Sequence, residues 1–446
     1  MTAMATSTET PSGTETKAKR RFRPYQIALV VGGGFAALTA ASYVAEQLWA
    51  EHWAETAYEE QPISRLMFAN IPGWLRLAFY VMVVAAILYG AFNFSNRVRN
   101  WERGAPDNRR TTPKNFKKRL ENMRSGLYMQ TLLRDPAAGV MHSFIYFAFL
   151  VLLAITTIGE INLQLPVALK FLHGDVYRAY AFIADLAGVF FVVGLVWAIV
   201  RRYVQKPYRI RIKTKADHAI GLGVLLAIGV TGFIAEGFRI ALEGMPEADN
   251  WAFIGWPMAK AMENMGGLEW WHRSFWIVHI LTFVAFLIVL PTTMLRHMFT
   301  SPMNMYLKDR DRPKGAMKAM PNLMETELET FGASVVEDFT WKQLLDTDAC
   351  TMCGRCTSVC PASGTGKPLD PREIVLKTGE VMAATGDPQV SPPIALDGEI
   401  TIGANSLFER ITPEEVWACT SCKACDEICP VNIEILDKIL DMRRYL

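Results

Sequence analysis

Six long apolar runs, at residues 25–46, 74–94, 139–160, 177–200, 217–242 and 273–295, constrain this chain more than any other feature. Each approaches the roughly 20 residues that a helix needs to cross a bilayer. Inside a bilayer no water is at hand to bond a peptide group, and a helix lets each run satisfy its own N–H and C=O groups. The runs therefore predict six transmembrane helices.

A formal net charge of only +2 hides a segregation of charge between the loops. "KAKRRFR" precedes the first run, and the mostly acidic "AEHWAETAYEEQ" follows it. "NRVRNWERGAPDNRRTTPKNFKKRLENMR" follows the second, "RRYVQKPYRIRIKTK" the fourth, and "EGMPEADN" opens the loop after the fifth. Basic loops stay in the cytoplasm, so the N-terminus and everything after the sixth run are expected there. Residues 1–23 are rich in Ser and Thr, without apolar periodicity, and read as a disordered cytoplasmic tail. No small-residue cleavage site follows a short apolar core, which argues against a secretory signal. The expected organisation is a membrane domain over 24–299, a linker over 300–340 and a soluble domain over 341–446. The basic stretches follow membrane topology and no Gly-rich phosphate loop stands out, so no nucleic acid partner is expected and no side chain is assigned a catalytic role.

All eight cysteines fall in the last quarter, in two runs of the form C-x2-C-x2-C-x3-C-P. They are Cys350, Cys353, Cys356 and Cys360 with Pro361, and Cys419, Cys422, Cys425 and Cys429 with Pro430. A four-iron cubane takes one thiolate per iron, and in two-cluster ferredoxins the fourth cysteine of each run completes the other cluster. That rule assigns Cys350, Cys353, Cys356 and Cys429 to one [4Fe-4S] cluster and Cys419, Cys422, Cys425 and Cys360 to a second. Four thiolates also suit zinc, but zinc sites favour two separated C-x2-C pairs. Disulfides do not suit a reducing cytoplasm.

Ionisable groups within membrane spans point to function. His142 lies near the cytoplasmic start of the third run, and the sixth carries His279 and, near its cytoplasmic end, His297. On one continuous helix the last two would stand roughly 27 Å apart, too far to share a haem. His142 and His297 sit at the same expected depth. Two imidazoles on opposite faces of an iron leave no position for dioxygen, which suits electron transfer. His279 would serve a second, outer haem with His173 or His272 as partner, and His218 is an alternative inner ligand to His142. A histidine satisfied by a neighbouring carbonyl is the other reading of each. Glu236 and Arg239, one turn apart, either pair with each other or serve a proton path or quinone contact; Asp185 and Glu160 are further candidates.

Runs two to six resemble the cytochrome b subunit of respiratory nitrate reductases. "FTWKQLLDTDACTMCGRCTSVCPASGTGKPLDPREIV" with "EEVWACTSCKACDEICPVNIE" resembles the iron–sulfur part of heterodisulfide-reductase-related membrane proteins. The resemblance covers most of the chain from about residue 74. It implies an all-α membrane bundle of six spans, followed by an α-helical two-cluster ferredoxin domain, in the inner (plasma) membrane of a bacterium. In the nitrate reductase subunit the last helix carries two haem ligands at the interval of His279 and His297. His142 matches the first of two on an earlier helix, and Leu152 stands at the second. One haem b, or a rewired second one, is therefore implied.

Relatives of this kind are thought to pass electrons from electron-transfer flavoprotein to menaquinone. Quinol oxidation feeding a cytoplasmic heterodisulfide or sulfur-reducing partner is the alternative, and a membrane-anchored redox sensor is a third reading of another class. Family members often append a cysteine-rich domain, whereas this sequence stops inside "VNIEILDKILDMRRYL". The expectation is either a part of a longer protein or a separate subunit packed on that helix.

Overall fold

A computed structural model describes residues 23–57, 68, 70–107, 109, 111–165, 169–211, 216–308, 316–318, 320, 322, 324–326, 330–386 and 405–446. The expected tail, apart from residue 23, lies outside the described residues, as do most of the loop after the first span and the middle of the expected linker.

Among the described residues, six helices are long and apolar enough to cross a membrane. They are α1 (Pro24–Ala57), α2 (Gly73–Trp101), α4 (Pro136–Gln164), α5 (Gly174–Ile199), α6 (Ala216–Leu242) and α8 (Leu268–Val289); α3 (Pro113–Leu127) lies between the second and third, and a short α7 (Gly255–Met262) between the fifth and sixth. Local chemistry sets several ends. Asp135 accepts the Ala138 N–H ahead of Pro136 to start α4, and Thr112 with Asn115 forms a capping box on α3. The spans close into a ring in which α1 packs on α2, α2 on α8, α8 on α6, α6 on α5, α5 on α4, and α4 back on α1. Phe191, Leu195, Leu225 and Phe286 fill its middle. On α1 the side chains of Val30, Phe35 and Leu38 are more than half exposed, as a lipid-facing helix requires.

The sixth span departs from the expected 273–295. Its helix ends at Val289, a 3-10 turn covers Met294–Arg296, and His297 opens a separate helix α9 (His297–Tyr306). Pro291 explains the break, because it lacks the N–H that would continue the ladder, although Leu290 before it keeps helical backbone. Thr293 then bonds back to the Val289 carbonyl at 2.8 Å and caps the next turn through Leu295 N–H. His279 and His297 are thus not on one helix.

The iron-sulfur-like part is built from α10 (Trp341–Ala349), α11 (Pro371–Ala384) and α12 (Ile435–Tyr445), with short turns that carry the cysteines. Its core, including Phe339, Leu344, Leu345, Ile374 and Ile439, extends without a break to Val98 and Trp101 at the end of α2. Ala105 and Thr340 form a parallel bridge, with Ala105 N–H donating to Phe339 at 2.8 Å. A Cβ on Gly104 would fall 2.6 Å from the Trp341 nitrogen, so only glycine fits this close approach. Behind the cysteines, the fully buried Lys342 and Lys438 share Asp346, at 2.7 and 2.5 Å. Arg109 from the loop after α2 forks onto both oxygens of Glu434 at 2.6 Å. Membrane bundle and soluble part are one packed body.

Candidate metal centres

Cys350, Cys353, Cys356 and Cys429 surround a small space, partly open to solvent, that is also lined by Arg355, Arg372 and Ile433. α10 delivers Cys350, and the chain after it curls through two left-handed residues, Met352 at φ +54° and Gly354 at φ +69°. Successive N–H groups in such a curl turn toward a common point. Met352 N–H reaches the Cys350 thiol, and Ile433 N–H donates to Cys429 Sγ at 3.4 Å. Burial pushes the Cys350 thiol up to about 12 and raises Cys356 and Cys429 as well. Thiols this reluctant to ionise become ligands only when a metal supplies the positive charge. Among the described residues no three His, Cys, Asp or Glu converge tightly enough for a single metal ion. Four thiols spread around one space, with Cys429 buried and the other three half-buried, and with N–H donors aimed at sulfur, fit a multi-iron cluster.

The second set repeats the design. Ser421 and Lys423 are left-handed at φ +57° and +63°, at the same offsets from Cys419 as Met352 and Gly354 from Cys350. Ser421 N–H donates to Cys419 Sγ at 3.4 Å. Cys360 and Cys422 are the thiols whose charge bears on Cys419. Cys425 is buried and Cys422 exposed. The turn Arg355–Ser358 packs against the turn Ala424–Ile428, so the two sets are neighbours. Asp426 is buried beside Cys425 Sγ at 3.6 Å and accepts Ile435 and Leu436 N–H at 2.8 and 3.1 Å. Burial pushes its carboxyl up to about 6.

His142 on α4 and His297 on α9 face each other with ring centres 6.3 Å apart and planes inclined by 62°. Two imidazole nitrogens, each about 2 Å from one metal, put the ring centres on the order of 6 Å apart. His297 Nδ1 lies 2.7 Å from the Met294 carbonyl, which can only accept, so Nδ1 carries the proton and Nε2 offers a lone pair. Burial holds His297 below the ordinary imidazole range, in the neutral form that a ligand needs. Among the described residues His142 Nδ1 has no hydrogen-bond partner. This pair fits an iron bound through two imidazoles.

His218 is fully buried at the start of α6, with Nδ1 2.9 Å from Asp217. His279 sits on α8 with Nδ1 3.0 Å from Thr231 Oγ1, which itself donates to the Ala227 carbonyl at 2.6 Å. His279 Nδ1 is therefore the donor, and its ring lies against Gly232, where a Cβ would be 3.3 Å from Cε1. His272 shares α8 with it two turns away, about 10 Å along the axis, and cannot face it. His173 is exposed ahead of α5, and Leu152 packs against the apolar centre of the bundle.

Two family models match separate parts of the chain. Residues 349–434 match the 4Fe-4S dicluster domain, and residues 161–312 the nitrate reductase gamma subunit. The chain is 30% identical over 409 residues to EtfAB:quinone oxidoreductase of Syntrophomonas wolfei, covering 86% of this chain and 56% of that one. It is 31% identical over 366 residues to the probable iron-sulfur-binding oxidoreductase FadF of Bacillus subtilis, covering 74% and 50%. Over 100 residues it is 31% identical to one component of the ferredoxin/F(420)H(2)-dependent CoB-CoM heterodisulfide reductase of Methanosarcina acetivorans, covering 22% and 46%. The chain belongs to the membrane iron–sulfur oxidoreductases related to heterodisulfide reductase. It spans about half the length of the curated relatives it matches. No solved structure matches it.

In this family member, contacts that the sequence reading missed tie the thiols to the histidines. Asp348, two residues before Cys350, binds Arg296 next to His297 and Arg97 at the end of α2, each at 2.9 Å, and accepts Trp101 Nε1–H at 2.8 Å. Arg355, inside the first cysteine run, donates to the Thr131 and Leu132 carbonyls at 2.7 Å, just ahead of the helix that carries His142. Arg372 donates to the Arg209 carbonyl at 2.7 Å. The first thiol set is thus the membrane-proximal one. A cysteine spacing shows none of this, because burial of an arginine depends on partners far along the chain.

The polar candidates at the opposite end of the bundle are held by several partners each. Arg239 is buried and binds Asp249 at 3.1 Å and Glu243 at 2.7 Å, with Glu236 at 3.9 Å. Tyr177 donates to the same Asp249 at 2.5 Å. Asp185 caps α7, accepting Ile254 and Gly255 N–H at 2.6 and 3.1 Å. Glu160 accepts from Ser42, from Tyr80 at 3.2 Å and from Gln164 at 3.0 Å.

Proposed function

We propose that this chain carries electrons between a soluble donor in the bacterial cytoplasm and the menaquinone pool. The observation that carries the reading is the continuous placement of redox-competent groups. The thiol set that includes the exposed Cys422 adjoins the proximal one, which Arg355 and Asp348 pin to the two helices that bear His142 and His297. Cys350, Cys353, Cys356 and Cys429 would hold one [4Fe-4S] cluster, and Cys419, Cys422, Cys425 and Cys360 the other. His142 and His297 would hold a haem b, and His279 is the candidate for a second. Bound there, these groups supply transfer of one electron at a time.

The protein's own residues do the rest. α10 and the left-handed curls fix the thiols, and Met294 holds His297 with Nε2 available. The exposed Cys422 marks the face where a soluble donor comes within reach, and electron-transfer flavoprotein is the donor class that the named relative suggests. The domain limits at 299 and 340 and the cytoplasmic position of residues 341–446 belong to the same proposal.

The test is a visible spectrum of the anaerobic, detergent-purified protein after addition of a reduced menaquinone analogue. A reduced b-type band is expected. If dithionite produces the band and the quinol does not, direct exchange with quinone is wrong.

A further inference from the structure

The two thiol sets share a spacing but not an electrostatic setting. Around the proximal set, two nearby carboxylates are each shared by two guanidinium groups, while a third, Asp370, which bears on Cys356, is matched by Arg372 at 3.0 Å. Asp135 binds both Arg201, at 3.2 Å, and Arg209. Asp348 binds both Arg97 and Arg296. Each cluster of charges therefore keeps a positive excess. Arg355 adds another charge: it is 4% exposed, lines the thiol cavity, and spends its hydrogen bonds on the neutral carbonyls of Thr131 and Leu132.

The distal set has the opposite neighbour. Asp426 is buried beside Cys425 and accepts from two backbone N–H groups, with Asp437 acting on it as a further negative charge, whereas Glu434 is matched by Arg109. Arg443 offsets part of this through the Cys419 carbonyl.

A cluster and its four thiolates become one charge more negative on reduction. Nearby cations stabilise that reduced form and nearby carboxylates oppose it, more strongly in a buried setting than in water. Resting on the two-cluster reading above, we infer that Arg355 and the doubly shared Asp135 and Asp348 hold the reduction potential of the proximal cluster above that of the distal one, which Asp426 lowers. One electron passing from the reduced distal cluster to the oxidised proximal cluster then runs downhill toward the membrane, with no proton moved and no bond broken. Arg355 is in this sense a tuning residue, not a catalytic one.

The test is an EPR-monitored redox titration of the full-length, detergent-purified chain, with dithionite as reductant, for wild type, Arg355→Gln, Arg355→Lys and Asp426→Asn. Wild type is expected to reduce in two steps. Arg355→Gln should lower only the upper step, shifting the equilibrium between clusters about tenfold, or about 59 mV for one electron. Arg355→Lys, which keeps the charge and loses the fork, should stay near wild type. Asp426→Asn, which keeps the oxygen that accepts the two N–H groups, should raise only the lower step. The inference is overturned if Arg355→Gln moves the lower step, if lysine behaves as glutamine does, or if neither charge change moves any potential while cluster content is intact. Should Arg355→Gln fail to assemble its clusters, Asp426→Asn decides alone: a raised lower step supports the assignment and a raised upper step or no shift removes it. Wild type without iron–sulfur EPR signals would remove the two-cluster reading itself, which is a distinguishable failure.

Discussion

The two cysteine runs have the same spacing and the same pair of left-handed residues, yet the fold surrounds them differently. Around the first, Arg355 and Arg372 reach into the loops of the membrane bundle and none of the four thiols is fully exposed. The second presents Cys422 to solvent, and Trp417, two residues before Cys419, is 59% exposed. Ligand geometry is local and can be duplicated by repeating a short sequence. Environment is set by what packs on the loop, and here it leaves one copy with an exposed thiol and packs the other against the helical bundle.

The largest effect expected from this contrast comes from exchanging the fourth cysteines. Cys429→Ser should remove the same EPR signal as Cys353→Ser, although the two residues belong to different runs, and Cys360→Ser should match Cys422→Ser. Loss of the Cys422-type signal in Cys429→Ser would show that each run ligates within itself. Next in size is the haem. His142→Leu and His297→Leu should each abolish the same b-type absorption, measured as bound haem per protein. A full complement of haem in either variant would break the pairing read from their 6.3 Å separation.

What the sequence made legible follows the same division between local and distant. The cysteine sets and five of the spans were readable because a tight metal loop and an apolar helix are each written in consecutive residues. The end of the sixth span was also written, in Pro291, but the apolar run continues past it and masks the break. Arg355 and Asp348 were not readable as buried charges. Their partners lie far along the chain, at separations of 224 for Arg355 to Thr131, 251 for Arg97 to Asp348 and 52 for Arg296 to Asp348. Composition alone would have left both on a solvated surface.

The junction between soluble part and bundle offers a smaller effect. Arg109→Ala leaves Glu434 without its fork, and losing one partner of a buried pair costs about 3 kcal/mol. The denaturant midpoint, followed by bleaching of the clusters, should fall accordingly, and the proximal cluster should be lost first. Simultaneous loss of both clusters with an unchanged midpoint would argue against Arg109 as a clamp on the proximal side.

The smallest effect is in pH. Burial alone would raise the Glu434 carboxyl, but Lys342 and Arg109 beside it hold it well below the usual range. Lys342 and Lys438 do the same for the buried Asp346. A carboxyl whose folded pKa is depressed adds stability that is present above its unfolded value, near 4, and is lost as pH falls through the folded value. Wild type should therefore lose stability as pH drops below about 4. Glu434→Gln, already less stable at neutral pH because Arg109 loses its charged partner, should lose less on the same descent, so that the gap between the two midpoints narrows in acid. A gap that stays constant with pH would mean that Glu434 contributes by shape alone, and the charge reading of this junction would fall with it.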